Sequence, residues 1–241
     1  RPSIDEGWAR WVLEEYGFPY ESLHNTDIRQ GGLAGRFDVI LLPYQEMGEI
    51  LDGNPDKNQF KEPYPPEYVG GLGPVGMDAL QAFVEAGGTL IAIDAACEPL
   101  VKRFALPVRN VLEGVEESEF YCPGSLLRVV MNPSHPVAWG LPRETAVLFM
   151  KSAAWEIETG AEGDVEIVGR YPSSNPNLSG WVLGEKHLFG RAALLDVTLG
   201  TGRILLIGFR PHFRAQARGT YKVLFNAIQR AAGRSGRLDL G

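Results

Sequence analysis

Two short stretches of this chain carry residues able to do chemistry. In the first, an apolar run, Thr89-Leu90-Ile91-Ala92-Ile93, breaks into Asp94-Ala95-Ala96-Cys97 and is followed by Glu98. A carboxylate and a thiol at the end of a buried strand stand where an α/β sheet places its reactive groups, just past the carboxyl ends of its strands. The second stretch, Gly208-Phe209-Arg210-Pro211-His212-Phe213, follows another apolar run and supplies a permanent cation and an imidazole. Cys97 as nucleophile with His212 as its base would make a cysteine hydrolase, because a helix N-terminus lowers a thiol's pKa and an imidazole can take its proton. Cysteine is also among the most often buried residue types, and a small apolar filler is the plainer reading. Asp94 and Arg210 suit another role: if the two strand ends face each other, they form an ion pair. His24 and Asp27 are spaced H-x-x-D, with His135 downstream as a conceivable third metal ligand. A polar turn capped by the Asp side chain explains the first two more simply. His135 and His187 read as surface residues of loops.

The elements around these residues follow from hydrophobic period and turn chemistry. Leu80, Phe83 and Val84 give a helical stripe that stops at Gly87-Gly88, residues 89–93 are a buried strand, and Leu100, Val101 and Phe104 start a second helix. Ser3 caps a first helix bearing Trp8, Trp11, Val12 and Leu13 and closed by Gly17, and a short extended piece at 19–23 leads to the turn at 24–27. Residues 37–42 are a second buried strand ended by Pro43. Residues 43–73 are too long and irregular for a plain connection and read as a lid or interface loop, or as disorder. Strands are expected at 125–131, 146–150, 155–158 and 165–171, then a hairpin of 192–198 and 203–209, then a closing helix over 219–232. The sum is an α/β, flavodoxin-like, mostly parallel sheet with helices on both faces and an antiparallel β-rich insertion around 120–200. One domain is expected over 1–233, with a frayed tail at 234–241. Because a doubly wound sheet seldom opens on a crossover helix, its first strand is expected to be missing from the chain.

Composition narrows the partners. The chain has 241 residues, 44% hydrophobic and 22% charged, with net charge -7, which suits a soluble globular domain and argues against a nucleic-acid footprint. No apolar run is long enough for a membrane span. With only Cys97 and Cys122, no disulfide framework or zinc knuckle is indicated, although one bridge between them stays open. Trp139, Trp155, Trp181, Tyr171 and the loop from Tyr64 to Tyr68 could line a groove for peptide or sugar, which would make the chain a carbohydrate-binding module; large aromatics at loop ends are more often partial core.

A strand-turn-helix with a nucleophile at its turn, followed late by a strand ending in G-F-H-P-E, marks the class I glutamine amidotransferase fold, and this chain resembles it in IAIDAAC and GFRPHF. By that resemblance Asp94 takes the place of the nucleophile, Arg210 that of the base and His212 that of the acid. An acid at the elbow is a poor acyl acceptor and an Arg accepts no proton at neutral pH, so the triad is degenerate. Longer phrases, among them IDEGWARWVLEEYGFPYESLHNTDIR, FVEAGGTLIAIDAACE and AALLDVTLGTGRILLIGFRPHFRAQARGTYKVLFNA, are similar to the C-terminal region of large bacterial zinc carboxypeptidases of the carboxypeptidase A type. That resemblance implies an accessory, non-catalytic amidotransferase-like domain that packs on an upstream metallopeptidase domain of the same polypeptide, forms a homodimer or holds substrate. Ligand-binding candidates are then Asp94, Glu98, Arg210, His212, Tyr68 and Trp181. It implies no cofactor or metal in this chain, with zinc only on the peptidase domain, and a periplasmic or extracellular home.

Overall fold

The structure is a computed structural model that describes residues 3–57, 60–161 and 163–235. Helix α1 (Ile4–Glu15) starts where the Ser3 hydroxyl accepts from the Glu6 amide, 3.4 Å away, and it buries Ala9, Val12 and Leu13. Asp27 accepts from the His24 amide at 2.7 Å, but the turn expected there is the first turn of a helix, α2 (Asn25–Gln30). The stretch at 19–23 forms no strand. After β1 (Val39–Leu42) come α3 (Met47–Leu51), α4 (Gly73–Glu85), β2 (Thr89–Ile93) and α5 (Cys97–Arg103). Seven strands follow with no further α-helix among the described residues: β3 (Val108–Asn110), β4 (Ser125–Met131), β5 (Glu144–Phe149), β6 (Trp155–Ile157), β7 (Val165–Arg170), β8 (Asn177–Ser179) and β9 (Ala192–Leu199). Strand β10 (Gly202–Ile207) and helix α6 (Tyr221–Ser235) complete the order. The helix therefore runs past the expected start of the frayed tail, and 236–241 lie outside the described residues.

The strands make one sheet in the order β1-β2-β10-β9-β7-β4-β5, with β3, β6 and β8 joined off that path. Among the described strands only β1–β2 and β2–β10 pair in parallel, so the expectation of a mostly parallel sheet is corrected. The described pairings from β10 through β9, β7 and β4 to β5 are antiparallel. The reason is connectivity. A parallel neighbour needs a crossover, usually helical, and between α5 and α6 the described chain has no α-helix, so these strands turn back on themselves. The β-rich stretch is thus a continuation of the one sheet.

Both faces of the parallel strands are covered. Leu90, Ala92, Ile204 and Leu206 lie in the core with α4 and α5, whereas Ile91, Ile93, Leu205 and Ile207 lie in the core with α6. Each such Leu or Ile, fully withdrawn from water, contributes about 1.5–3 kcal/mol, so the strand ends that carry the polar residues are held on a rigid frame. The irregular segment after α3 is fastened at its neck. Asn54 donates its side-chain amide to the Tyr68 carbonyl at 2.9 Å, and the Leu72 amide donates to the Ile50 carbonyl at 2.8 Å. Gly53 has φ +66°, and a Cβ there would fall 1.8 Å from the Gly70 oxygen, so only glycine allows the two limbs to cross. Among the described residues no helix is long and apolar enough to cross a membrane.

Candidate functional site

Asp94 directly follows β2 with φ +57°, a left-handed conformation that non-glycine residues rarely adopt and that Asp tolerates better than most. Such a residue costs of order 1–3 kcal/mol and persists only where its surroundings hold it. Here they do. The Asp94 carboxylate is 2% exposed, and its Oδ2 accepts from the Ser152 hydroxyl at 2.9 Å and from Arg210 Nε at 2.9 Å. Burial pushes the Asp94 carboxyl above its ordinary pKa, and Arg210 and Ser152 pull it back without cancelling the rise.

Arg210 arrives from the loop after β10, its backbone N–H fixed to the Leu148 carbonyl at 3.1 Å. Its Nη1 lies 3.6 Å from the Asp5 carboxylate of α1, and its guanidinium carbon sits 3.7 Å above the Tyr44 ring. Tyr44 thus covers the cation on one side and Asp5 flanks it on another, a cation–π contact and an ion pair that complete its desolvated shell. His212 is 2% exposed, with Nε2 3.3 Å from the Asp5 carbonyl oxygen and Nδ1 buried without a partner. Burial pushes this imidazole below its ordinary pKa, so it is neutral at pH 7.

The other residues singled out above stand as follows. Cys97 is buried and donates Sγ–H to the Ala92 carbonyl at 3.3 Å, with the Ile207 carbonyl 3.8 Å away. Burial raises its thiol well above the ordinary value, opposite to what an activated nucleophile needs. Cys97 and Cys122 are both free thiols. Glu98 is used by Lys102 one turn along α5, at 3.0 Å. Tyr68 is 40% exposed and packs edge-on against His24, while Trp181 is 61% exposed and packs against Tyr121 beside β4 and β8. His187 is half-buried against Phe120.

His135 corrects the expectation of a surface residue: it is buried, and its Nε2 lies 3.1 Å from the fully buried carboxylate of Asp196. His135, Glu166 and Asp196 bring their ligand atoms within 4.8 Å of one another, the geometry of a conceivable metal trio. It does not fit a zinc centre. Arg203 and Arg230 both contact Asp196, and Arg203 also contacts Glu166, so the carboxylates already have their counter-charges. Burial alone would push Asp196 up, but the bonds from His135 and Arg203 and the charge of Arg230 hold its carboxyl well below the usual range.

Sequence reasoning missed Asp5, Ser152 and Tyr44. Asp5 reads as an ordinary first-turn acid of α1, and Ser152 and Tyr44 stand in turns with no periodic signal. Only the tertiary fold brings Ser152 to Asp94 and Asp5 and Tyr44 to Arg210.

No protein-family model matches this chain, and no curated protein matches it. Solved structures do. A protein of Bacteroides uniformis described as ThuA-like is 16% identical with a TM-score of 0.50, over 94% of this chain and 81% of its own. A cytoplasmic protein of Salmonella typhimurium is 14% identical with a TM-score of 0.57, over 94% and 87%. A Thermoplasma acidophilum protein described as part of a GMP synthase is 12% identical with a TM-score of 0.56, over 97% and 92%. Identities this low define the fold and no more: the chain has the mixed α/β architecture of ThuA-like and class I glutamine amidotransferase-like proteins.

Proposed function

We propose that this chain is a non-catalytic amidotransferase-like domain that works through contact with another protein surface or a bound peptide or glycan. The carrying observation is the elbow itself. The position from which this fold presents a nucleophile holds a buried carboxylate bonded to Arg210 and Ser152, with α1 and Tyr44 around the guanidinium. A guanidinium takes no proton at neutral pH, and His212 is turned to the α1 backbone, so nothing at the elbow is arranged to generate a nucleophile. A cysteine hydrolase using Cys97 and His212 finds little support, since the thiol is bonded to strand carbonyls and raised in pKa. The purified chain is expected to release no ammonia from glutamine, to cleave no C-terminal residue from peptides and to hold no zinc after dialysis. One equivalent of retained zinc, or turnover of either substrate, would overturn the reading.

The finer context rests on the resemblance of the long sequence phrases. In that context the domain serves a zinc carboxypeptidase by packing on its catalytic domain, dimerising or holding substrate, in the periplasm or outside the cell, with zinc confined to the peptidase domain. The reading frame upstream of Arg1 tests it. An H-x-x-E peptidase domain encoded there supports the assignment, and an unrelated upstream gene removes it.

A further inference from the structure

We propose that helix α1 is a pH-sensitive latch over the elbow, held through His212 and loosened when that imidazole gains a proton. A carbonyl oxygen only accepts, so the contact of His212 Nε2 with the Asp5 carbonyl, at 3.3 Å, puts the ring hydrogen on Nε2 and leaves Nδ1 as a bare lone pair. That Nδ1 is buried and has no partner. A second proton must go there, creating a buried N–H without an acceptor and a cation in a desolvated place. The charged group acting on it is Asp5 of α1, which itself lies beside Arg210. Asp5 would attract the new charge, but its carboxylate already lies 3.6 Å from Arg210 Nη1, so it cannot offset the burial in full.

The first turn of α1 is also held here by the Asp5–Arg210 pair and by the Ser3 hydroxyl donating to the Tyr44 carbonyl at 3.1 Å, and Ala9, Val12 and Leu13 bury the turns beyond it. Burial lowers the imidazole's pKa in the docked state. The released state therefore binds more protons, and docking is at full strength above the ordinary histidine value of about 6.5. It weakens as pH falls below that, by up to about tenfold in the equilibrium per pH unit. This inference does not depend on whether the domain is catalytic.

Amide hydrogen exchange on the full chain between pH 7.5 and 5.0, corrected for the intrinsic pH dependence of exchange, tests it. The first two turns of α1 are expected to lose protection as pH falls below about 6.5, by at most about tenfold per pH unit, while the amides of β2 keep theirs. His212→Gln keeps an N–H for the Asp5 carbonyl but does not titrate, and its α1 protection should be flat with pH; a response as steep as wild type would overturn the proposal. Should that variant fail to fold, the wild-type chain still decides, because α1 protection that stays constant, or that falls in step with β2, contradicts a local latch.

Discussion

Arg210 Nε lies 2.9 Å from Asp94 Oδ2, and that contact ties the loop after β10 to the elbow after β2 across two adjacent parallel strands. The strand frame fixes where the two backbones end, so the pair forms without long side chains having to search for each other. Its chemistry is closed. Both groups are buried, the Ser152 hydroxyl also donates to the carboxylate, and the guanidinium sits over the Tyr44 ring.

Arg210→Met keeps the stem and removes the charge, leaving Asp94 buried without its cation. The expected loss is about 3–5 kcal/mol at pH 7, the usual cost of stranding one member of a buried pair. Without Arg210 the Asp94 pKa, already raised by burial, rises further. A carboxyl whose folded pKa is raised contributes stability below its unfolded pKa, about 3.9, and loses it as pH climbs through the folded value. The variant's deficit should therefore be smaller at pH 5 than at pH 8. Denaturant midpoints at the two pH values measure this, and equal deficits would contradict it. Adding Asp94→Asn should recover part of the loss.

Asp196 behaves with the opposite sign. Its carboxyl is held low by His135, Arg203 and Arg230 against the cost of burial, so its stabilisation is present above about pH 3.9 and disappears as pH falls through the depressed folded value. Asp196→Asn is expected to cost about 3–5 kcal/mol at neutral pH. As pH falls below about 3.9, the ordinary carboxylate value, the wild-type chain should lose stability more steeply than the variant. Parallel acid profiles would show that the network does not hold this carboxylate ionised.

Cys97 and Cys122 are both free and buried, and burial raises both thiols. A disulfide-exchange reagent should leave the native chain unlabelled over the time in which it labels an exposed thiol, then titrate both residues once guanidinium unfolds the protein. Fast native labelling at Cys97 would mean that the thiol is reachable and acidic, and would revive the cysteine-hydrolase reading.

The frame is legible in the sequence because burial writes itself into local pattern. The run Thr89–Ile93 is apolar at four of its five positions and buried on both faces, and its pattern alone gives the observed boundaries. The partnership of Asp94 with Arg210 is legible only through the resemblance to the amidotransferase motifs, whose two positions face each other, and β2 and β10 do pair side by side. The sheet's mixed direction is not legible, because it depends on which strands lack a helical crossover between them and no single strand's period carries that. His135 reads as a surface residue because S-H-P has turn chemistry, while its burial comes from Asp196, 61 residues away. Asp5 stays hidden for the same reason: nothing in a helix's first turn announces that its carboxylate will meet Arg210 from the far end of the chain.

On the non-catalytic reading proposed above the elbow forms no acyl-enzyme, and a reactive glutamine analogue tests this most directly. The chain is incubated with a diazoketone glutamine analogue at neutral pH and read by intact mass and peptide mapping. The expected result is an unmodified mass; a stoichiometric adduct on the peptide spanning Asp94 to Cys97 would contradict the account.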